Sequence, residues 1–321
     1  MRAIVYHRYG SPDVLQLEQI PTPTPADTGV LIRVRAASVN PIDWHFVRGM
    51  PYGFRMMSGL RVPKETRLGM DIAGTVETVG AGVTQFKPGD DVFGICRGAF
   101  AEYASTPATA LALKPANLSF AQAGSVAVAA LTALQSLRDK AHIRPGQKVL
   151  INGASGGVGT FAVQIARSLG AEVTGVCSTR NVGLVRSIGA HRVIDYTQEN
   201  FTQSGQRYDI FVDCIGNHPL SACRRILAPK GMCIVVGGQS GKWVSPMDRL
   251  IAARAMSWFV SQNFVSIMAQ WSQSGLAFLA GLMASGQVTP AIDRTYSLAE
   301  VPDAIRYLET GHAQGKVAII V

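Results

Sequence analysis

The polar and apolar positions divide the chain into two textures. Up to about residue 115, short β-type runs alternate with turn signals. Within residues 30–36, Ile32, Val34 and Ala36 fall on one face and Arg33 and Arg35 on the other, the period of two of a half-buried strand. Asp71–Val79 and Asp91–Ile95 read as further strands, the second entered through the turn Lys87-Pro88-Gly89-Asp90. The segment 21–29, PTPTPADTG, is a connector too short to separate one domain from another. Together these features predict a compact β-barrel-like domain.

From Phe120 the texture changes. An alanine-rich helical stretch leads to the turn Arg144-Pro145-Gly146. Short apolar runs follow at 148–152, 172–177, 192–196, 209–215 and 232–236, separated by helical stretches or loops. Buried strands spaced between helices predict βαβ units and a doubly wound α/β domain with a parallel sheet. The tail, 316–321, is a last strand expected to return to the first domain. The predicted division is therefore 1–118, completed by 290–321, and 119–289.

Composition narrows the class. With 321 residues and 47% hydrophobic residues, the chain has core enough for about two domains. That content, with glycine at no fixed period, excludes disordered and collagen-like chains. Cysteines stand at 96, 177, 214, 223 and 233, with no CxxC pair, so the expectation is reduced thiols and no structural zinc lobe. The opening residues lack a signal-peptide core, and no uncharged apolar run reaches about 18 residues. The nearest approach, 250–271, carries Arg254, Gln262, Asn263 and Gln270. A soluble cytoplasmic protein is expected.

Charge changes the picture in one segment. Residues 1–120 carry 12 basic against 10 acidic side chains, 121–289 carry 15 against 7, and 290–321 carry 3 against 4. The excess in the middle segment suits a polyanionic ligand, either a phosphorylated cofactor or a nucleic acid, and equally a merely soluble basic surface. No Lys/Arg run of five and no aromatic-interleaved basic motif is present, which argues against nucleic acid.

The strongest chemical signal is the loop Gly153-Ala154-Ser155-Gly156-Gly157-Val158-Gly159. It follows a buried strand and precedes a helix with apolar residues at 158, 161, 162, 165, 166 and 169, predicted to stop at Gly170. A glycine loop in that context is a dinucleotide-binding signature: the turn is tight, the backbone approaches a pyrophosphate closely, and N–H groups at the helix start attract its oxygens. The next strand ends Val176-Cys177-Ser178-Thr179-Arg180, with no carboxylate to bind a ribose 2′-hydroxyl. Hydroxyls and a guanidinium suit a 2′-phosphate, so NADP(H) is favoured over NAD(H).

With these residues in hand, the whole chain resembles the zinc-independent medium-chain dehydrogenases/reductases, in their quinone oxidoreductase or zeta-crystallin branch. Its markers are Ala37-Ser38-Val39-Asn40-Pro41-Ile42-Asp43, Gly69-Met70-Asp71-Ile72-Ala73-Gly74, Phe86-Lys87-Pro88-Gly89-Asp90, Leu131-Thr132-Ala133, the glycine loop, and Gly311-His312-Ala313-Gln314-Gly315-Lys316. The resemblance implies a GroES-like catalytic domain made of both chain ends and an inserted Rossmann domain that binds NADPH. It implies 2′-phosphate contacts at Ser178 and Tyr196, with Arg180 assisting. Asn40, Thr132, Gly237 and Gly238 match positions near the nicotinamide, and His312 and Ala313 match a loop that closes over the cofactor. Gln314 stands where relatives often have Arg.

Zinc-dependent members of the superfamily have a ligand cysteine at the place of Asn40 and Gly-His-Glu at the place of Gly69-Met70-Asp71. The six histidines show no pairing at three or four residues, so no metal site is expected. The resemblance also implies a homodimer through an edge strand at 232–236.

The chemistry expected is hydride transfer from NADPH to a quinone or to the β-carbon of an α,β-unsaturated carbonyl. Asn40 is a candidate for orienting nicotinamide or acceptor, or else a structural Asn-Pro turn with Asp43 capping the next helix. Tyr52 is a candidate proton donor, or else an exposed aromatic. Trp44, Phe46, Met50 and Phe54 could line an acceptor pocket or form local core. The alternatives of another class are an NADPH-binding protein with little turnover (sensor, structural or RNA-binding) and an enoyl-thioester reductase.

Overall fold

The structure, a computed structural model, describes residues 1–238, 251–253, 256 and 260–321. The chain folds as two compact units. The first comprises Met1–Leu131, Trp271–Gly286 and Pro290–Val321, and the second Thr132–Gln270 with Gln287–Thr289.

The first unit is β-rich. Its seven-stranded sheet is organised around the long strand Gly29–Val39, which exposes Arg33 and Arg35 and buries Ile32, Val34 and Ala36, as the period of two requires. This strand pairs antiparallel with Asp71–Val79, with Tyr103–Pro107 and with the final strand Lys316–Ile320. The strands Asp91–Ile95, Leu111–Leu113 and Ile292–Ser297 complete the sheet, and Arg2–Val5 pairs with Gln16–Gln19 beside it. Ile4, Ile32, Ile72, Val92, Phe100, Val317 and Ile319 meet in one core, each side chain worth about 1.5–3 kcal/mol on burial. The return of the tail is thus observed, and its register sets Val317 opposite Val39.

The expected boundary near 118 is displaced to Leu131. The helices Phe120–Ala123 and Ala127–Leu134 read as the start of the α/β domain by composition, but the first and part of the second belong to the β-rich unit. Their tertiary partners decide this. Arg35 lies 5.5 Å from the Phe120 ring, and the Val128 N–H donates to Asp71 Oδ1 at 2.7 Å. The helix Gln273–Ala284 joins the same unit, and Asn117 Nδ2 donates to the Met283 carbonyl.

Among the described residues, the second unit is built on a six-stranded, all-parallel sheet. Its strands run in space as Arg192–Asp195, Glu172–Cys177, Lys148–Asn152, Tyr208–Asp213, Leu227–Val235 and Asn263–Ser266. Numbered along the chain, that is the order 3-2-1-4-5-6 of a doubly wound dinucleotide-binding sheet. The strands are almost continuously buried, with Val149, Leu150, Ile151, Phe211, Val212, Cys233 and Ile234 fully so. The helix Gly157–Ser168 ends as its sequence predicts. Gly170 is left-handed at φ 81°, its N–H reaches the Arg167 carbonyl, and the Ala171 N–H reaches that of Ala166.

The expected edge strand is not an edge. Residues 232–235 lie inside the sheet, covered by Asn263–Ser266, which pairs Asn263 with Met232 and Ser266 with Val235. The sixth strand hides in the apolar stretch 250–271, where four residues between polar neighbours carry too weak a period to register. Part of that stretch lies outside the described residues. Among the described residues, no helix is long and apolar enough to cross a membrane, and all five cysteines are free thiols.

Candidate functional site

In the second unit the strand order reverses between Lys148–Asn152 and Tyr208–Asp213, and ligands of such sheets bind off the carboxyl ends of the strands at that point. The glycine loop lies there. Its glycines do different work. Gly153 has φ 80°, and an added Cβ would stand 2.7 Å from Ile215 Cδ1. A Cβ on Gly159 would meet the Gly153 carbonyl oxygen at 2.0 Å and Ala154 Cα at 2.8 Å. Both let the fold close. Gly156, by contrast, would meet among the described residues only the Gly153 oxygen, at 3.4 Å, an ordinary contact.

Gly156 caps the helix, whose first internal bond runs from the Thr160 N–H to the Gly156 carbonyl. The N–H groups of Gly157, Val158 and Gly159 therefore have no acceptor within the helix and carry the positive end of its dipole. Ser155 is buried and accepts from Asn181 Nδ2 at 2.9 Å. Asn181 Oδ1 is buried with no hydrogen-bond partner among the described residues. Across the switch point, Asn152 Nδ2 donates to Asp213 Oδ1 and to Asn217 Oδ1, both at 2.9 Å. The same Asp213 oxygen takes the Ile215 and Gly216 N–H groups, which holds the facing loop. Gly237 closes on that loop, since a Cβ would stand 2.5 Å from the Cys214 carbonyl oxygen, and Gly238 follows it.

Ser178, Arg180 and Tyr196 come together at adjacent strand ends. The register sets Asp195 beside Cys177, and the Tyr196 N–H donates to the Cys177 carbonyl. Arg180 and Tyr196 are exposed and Ser178 half-buried. The second strand carries no carboxylate, but the third ends in Asp195, whose two oxygens accept from the hydroxyls of Thr179 and Thr197 at 2.6 and 2.8 Å. These bonds hold its carboxyl below the usual range. Thr132 begins the second unit, and its carbonyl accepts from Ser136 Oγ at 2.7 Å where the helix widens into a π-helix, Gln135–Lys140.

The fit to a dinucleotide rests on two observations: among the described residues nothing crowds the space a Cβ on Gly156 would take, and three N–H groups at the helix start have no acceptor within the helix. The chemistry of this donor set suits a phosphorylated ligand.

In the first unit, Asn40 caps the helix Pro41–Arg48 and Asp43 Oδ2 accepts the Asn40 N–H at 2.7 Å, so the capping expected of Asp43 is present. Its other oxygen accepts the Gly69 N–H at 3.1 Å. Burial pushes the Asp43 carboxyl up to about 7, against the pull of those two bonds. Asp71 is also fully buried, and its Oδ2 accepts from Ser38 Oγ at 2.6 Å, Asn40 Nδ2 at 2.9 Å and Lys316 Nζ at 3.0 Å. Lys316 donates to Asn40 Oδ1 at 2.6 Å as well. The Asn40 amide is thus engaged at both ends.

Tyr52 is 38% exposed, and the Arg55 guanidinium lies 5.0 Å from its ring and 4.5 Å from that of Tyr9. Trp44 and Phe46 pack against the core of the first unit, and Phe46 meets Phe54 edge to face at 4.9 Å. His312 is exposed and Ala313 half-buried, while the Gln314 N–H donates to Asp293 Oδ2.

Sequence reasoning missed Lys316, Ser38, Asn152, Asn181 and Asp213 as parts of these sites. Lys316 reads as the polar start of an apolar strand, and nothing local signals that it is buried. Among the described residues, no group of three or more His, Cys, Asp or Glu side chains is placed to hold a metal ion.

Comparison with known proteins agrees with this architecture. Residues 26–116 match the alcohol dehydrogenase GroES-like domain model, and residues 188–319 the zinc-binding dehydrogenase model. The chain is 32% identical over 334 residues to the chloroplast envelope quinone oxidoreductase homolog of Arabidopsis thaliana, covering 99% of this chain and 98% of that protein. It is 33% identical to the NADPH-dependent alkenal/one oxidoreductase, chloroplastic, of the same plant, over 99% of this chain and 79% of that one. Escherichia coli quinone oxidoreductase, solved in complex with NADPH, superposes with a TM-score of 0.85 at 26% identity, with 100% of each chain covered. A GroES-like unit, a parallel sheet reversing at a glycine loop, and relatives matching end to end lead to one assignment: the chain belongs to the quinone oxidoreductase branch of the medium-chain dehydrogenases/reductases.

Proposed function

We propose that this protein is an NADPH-dependent, zinc-independent oxidoreductase that reduces a quinone or an α,β-unsaturated carbonyl. The observation that carries the reading is Gly156, whose added Cβ would crowd no atom among the described residues, standing beside three helix-start N–H groups that have no acceptor within the helix. When bound, NADPH supplies a hydride to an electrophilic carbon.

The chain's part is positioning. The N–H groups of Gly157, Val158 and Gly159 bind the pyrophosphate, with Ser155 and Gly156 beside them. Ser178, Arg180 and Tyr196 hold the 2′-phosphate, the guanidinium as a fork and the hydroxyls as donors. Thr132, Gly237 and Gly238 complete the cofactor contacts of the second unit. Asn40 orients the reacting partners, and Tyr52 donates a proton to the enolate or quinol oxygen. Zinc-independence is supported by the donor set around Asn40 and Asp71, where the Lys316 ammonium already supplies the positive charge. Asn263–Ser266, the edge strand among the described residues, supports a homodimer, which a monomeric mass in light scattering would refute.

The test is oxidation of NADPH and NADH, side by side, against a panel of quinones and enones. Turnover with NADPH preferred is expected. Saturable NADPH binding without turnover on any acceptor would leave a binding protein instead. A steep loss of nucleic-acid affinity with salt would favour an RNA-binding role.

A further inference from the structure

Lys316, Asn40 and Asp71 close a ring of three contacts. The ammonium donates to Asn40 Oδ1 at 2.6 Å and to Asp71 Oδ2 at 3.0 Å, and Asn40 Nδ2 donates to that same Asp71 oxygen at 2.9 Å. Asn40 and Lys316 are each 3% exposed and Asp71 fully buried. Side-chain amides commonly allow two orientations, related by a half turn, that heavy-atom positions hardly distinguish. Here the chemistry of the partners chooses. An ammonium can only donate and an ionised carboxylate can only accept. A flipped amide would set oxygen against oxygen at Asp71 and nitrogen against nitrogen at Lys316, replacing two charge-assisted bonds with two repulsions.

The remaining partners reinforce this. Asp71 Oδ1 takes the Val128 N–H and its Oδ2 takes the Ser38 hydroxyl, so the carboxylate cannot turn away. The Asn40 N–H is held by Asp43, which anchors the backbone from which the amide projects. One Asn40 hydrogen is left loosely held, on Nδ2, with the Ser38 carbonyl oxygen 3.4 Å away. That contact is long for a hydrogen bond, so this hydrogen can be given to another acceptor at little cost.

We propose that Lys316 is a positioning residue that, together with Asp71, locks the Asn40 amide so that it offers an N–H donor to a bound carbonyl oxygen. The recognised group is an oxygen acceptor, the carboxamide of a nicotinamide or the carbonyl of the hydride acceptor. The choice between these rests on the functional reading above; the lock itself does not. Lys316 reaches Asn40 only because the last strand pairs Val317 with Val39, so the C-terminal strand sets the chemistry of a residue 276 positions away.

The test pairs nuclear magnetic resonance with kinetics. In wild-type protein labelled with ¹⁵N-asparagine, the Asn40 side chain, assigned by through-space contacts to Ser38 and Val39, should give one slowly exchanging NH₂ pair. Exchange of that pair with solvent as fast as in an exposed asparagine overturns the lock, whether or not the enzyme turns over. The second measurement uses Lys316→Met with Asp71→Asn, which removes both buried charges and so avoids an orphaned ion. With the lock gone, kcat should fall roughly 10- to 100-fold, with KM for NADPH rising if the carboxamide is the partner and staying within about twofold if the acceptor's carbonyl is. A merely structural ion pair predicts unchanged kcat in the folded double variant, and that result would overturn the proposal. If the double variant does not fold, the wild-type amide exchange alone decides. Absence of turnover in wild type would sink the functional reading and leave the lock to the resonance measurement.

Discussion

Two alanine substitutions in one loop separate what the glycines do for the fold from what they do for the ligand. Gly159→Ala places a Cβ 2.0 Å from the Gly153 carbonyl oxygen and 2.8 Å from Ala154 Cα, both backbone atoms that cannot swing aside. Overpacking of this kind costs about 1–3 kcal/mol or more, against about 1 kcal/mol gained from replacing glycine inside a helix. The net loss should lower the melting temperature by several degrees, at about 2–4 °C per kcal/mol for a protein of this size.

Among the described residues Gly156→Ala meets only an oxygen at 3.4 Å, and its φ of −85° suits any residue. Alanine is a poorer cap than glycine, but it also reduces the freedom of the unfolded chain, and these effects of about 0.5–1 kcal/mol oppose one another. Stability should therefore move by less than about 1 kcal/mol. The new methyl nevertheless occupies the space a pyrophosphate would fill, and NADPH affinity should drop about tenfold or more, equivalent to about 1.4 kcal/mol. Thermal unfolding without ligand and fluorescence titration with NADPH measure the two quantities independently. If Gly156→Ala binds NADPH as tightly as wild type, the cofactor does not lie on this loop and the reading of the second unit is wrong.

Three further outcomes are expected. Asp43 has a folded-state value of about 7 against an ordinary 3.8. Between those values the unfolded chain releases a proton that the folded chain keeps, so stability falls as pH rises through the window, by up to about 4 kcal/mol. Urea titrations of wild type and Asp43→Asn from about pH 4 to 7.5 check this, and parallel profiles would refute it. Arg180→Ala should raise KM for NADPH about 10- to 100-fold, as loss of a charge-assisted contact does, and leave KM for NADH unchanged; equal effects on both cofactors would remove Arg180 from the phosphate site. Tyr52→Phe should lower kcat by about 100-fold at unchanged NADPH affinity if the phenol delivers the proton, and an unchanged kcat in single-turnover measurements would exclude it.

Local physics makes much of this protein legible in its amino-acid order. The glycine loop, the helix that follows it and its stop at Gly170 depend on backbone sterics and a period of 3.6, both of which act within a few residues. The strands Asp71–Val79, Asp91–Ile95, Lys148–Asn152 and Glu172–Cys177 are readable for the same reason. Asp43 as a cap needs only a spacing of three.

Three-dimensional pairing decides the rest. The boundary moves to Leu131 because Asp71 and Arg35 hold two helices whose own composition points elsewhere. The sheet's edge moves to Asn263–Ser266 because four residues carry too little periodicity to announce a strand. Lys316 is the clearest case. A lysine at the head of an apolar strand is ordinarily solvated, and only the register of Val317 on Val39 buries its ammonium between Asn40 and Asp71. Burial and charge pairing between distant segments depend on where the chain returns, and no local pattern records that.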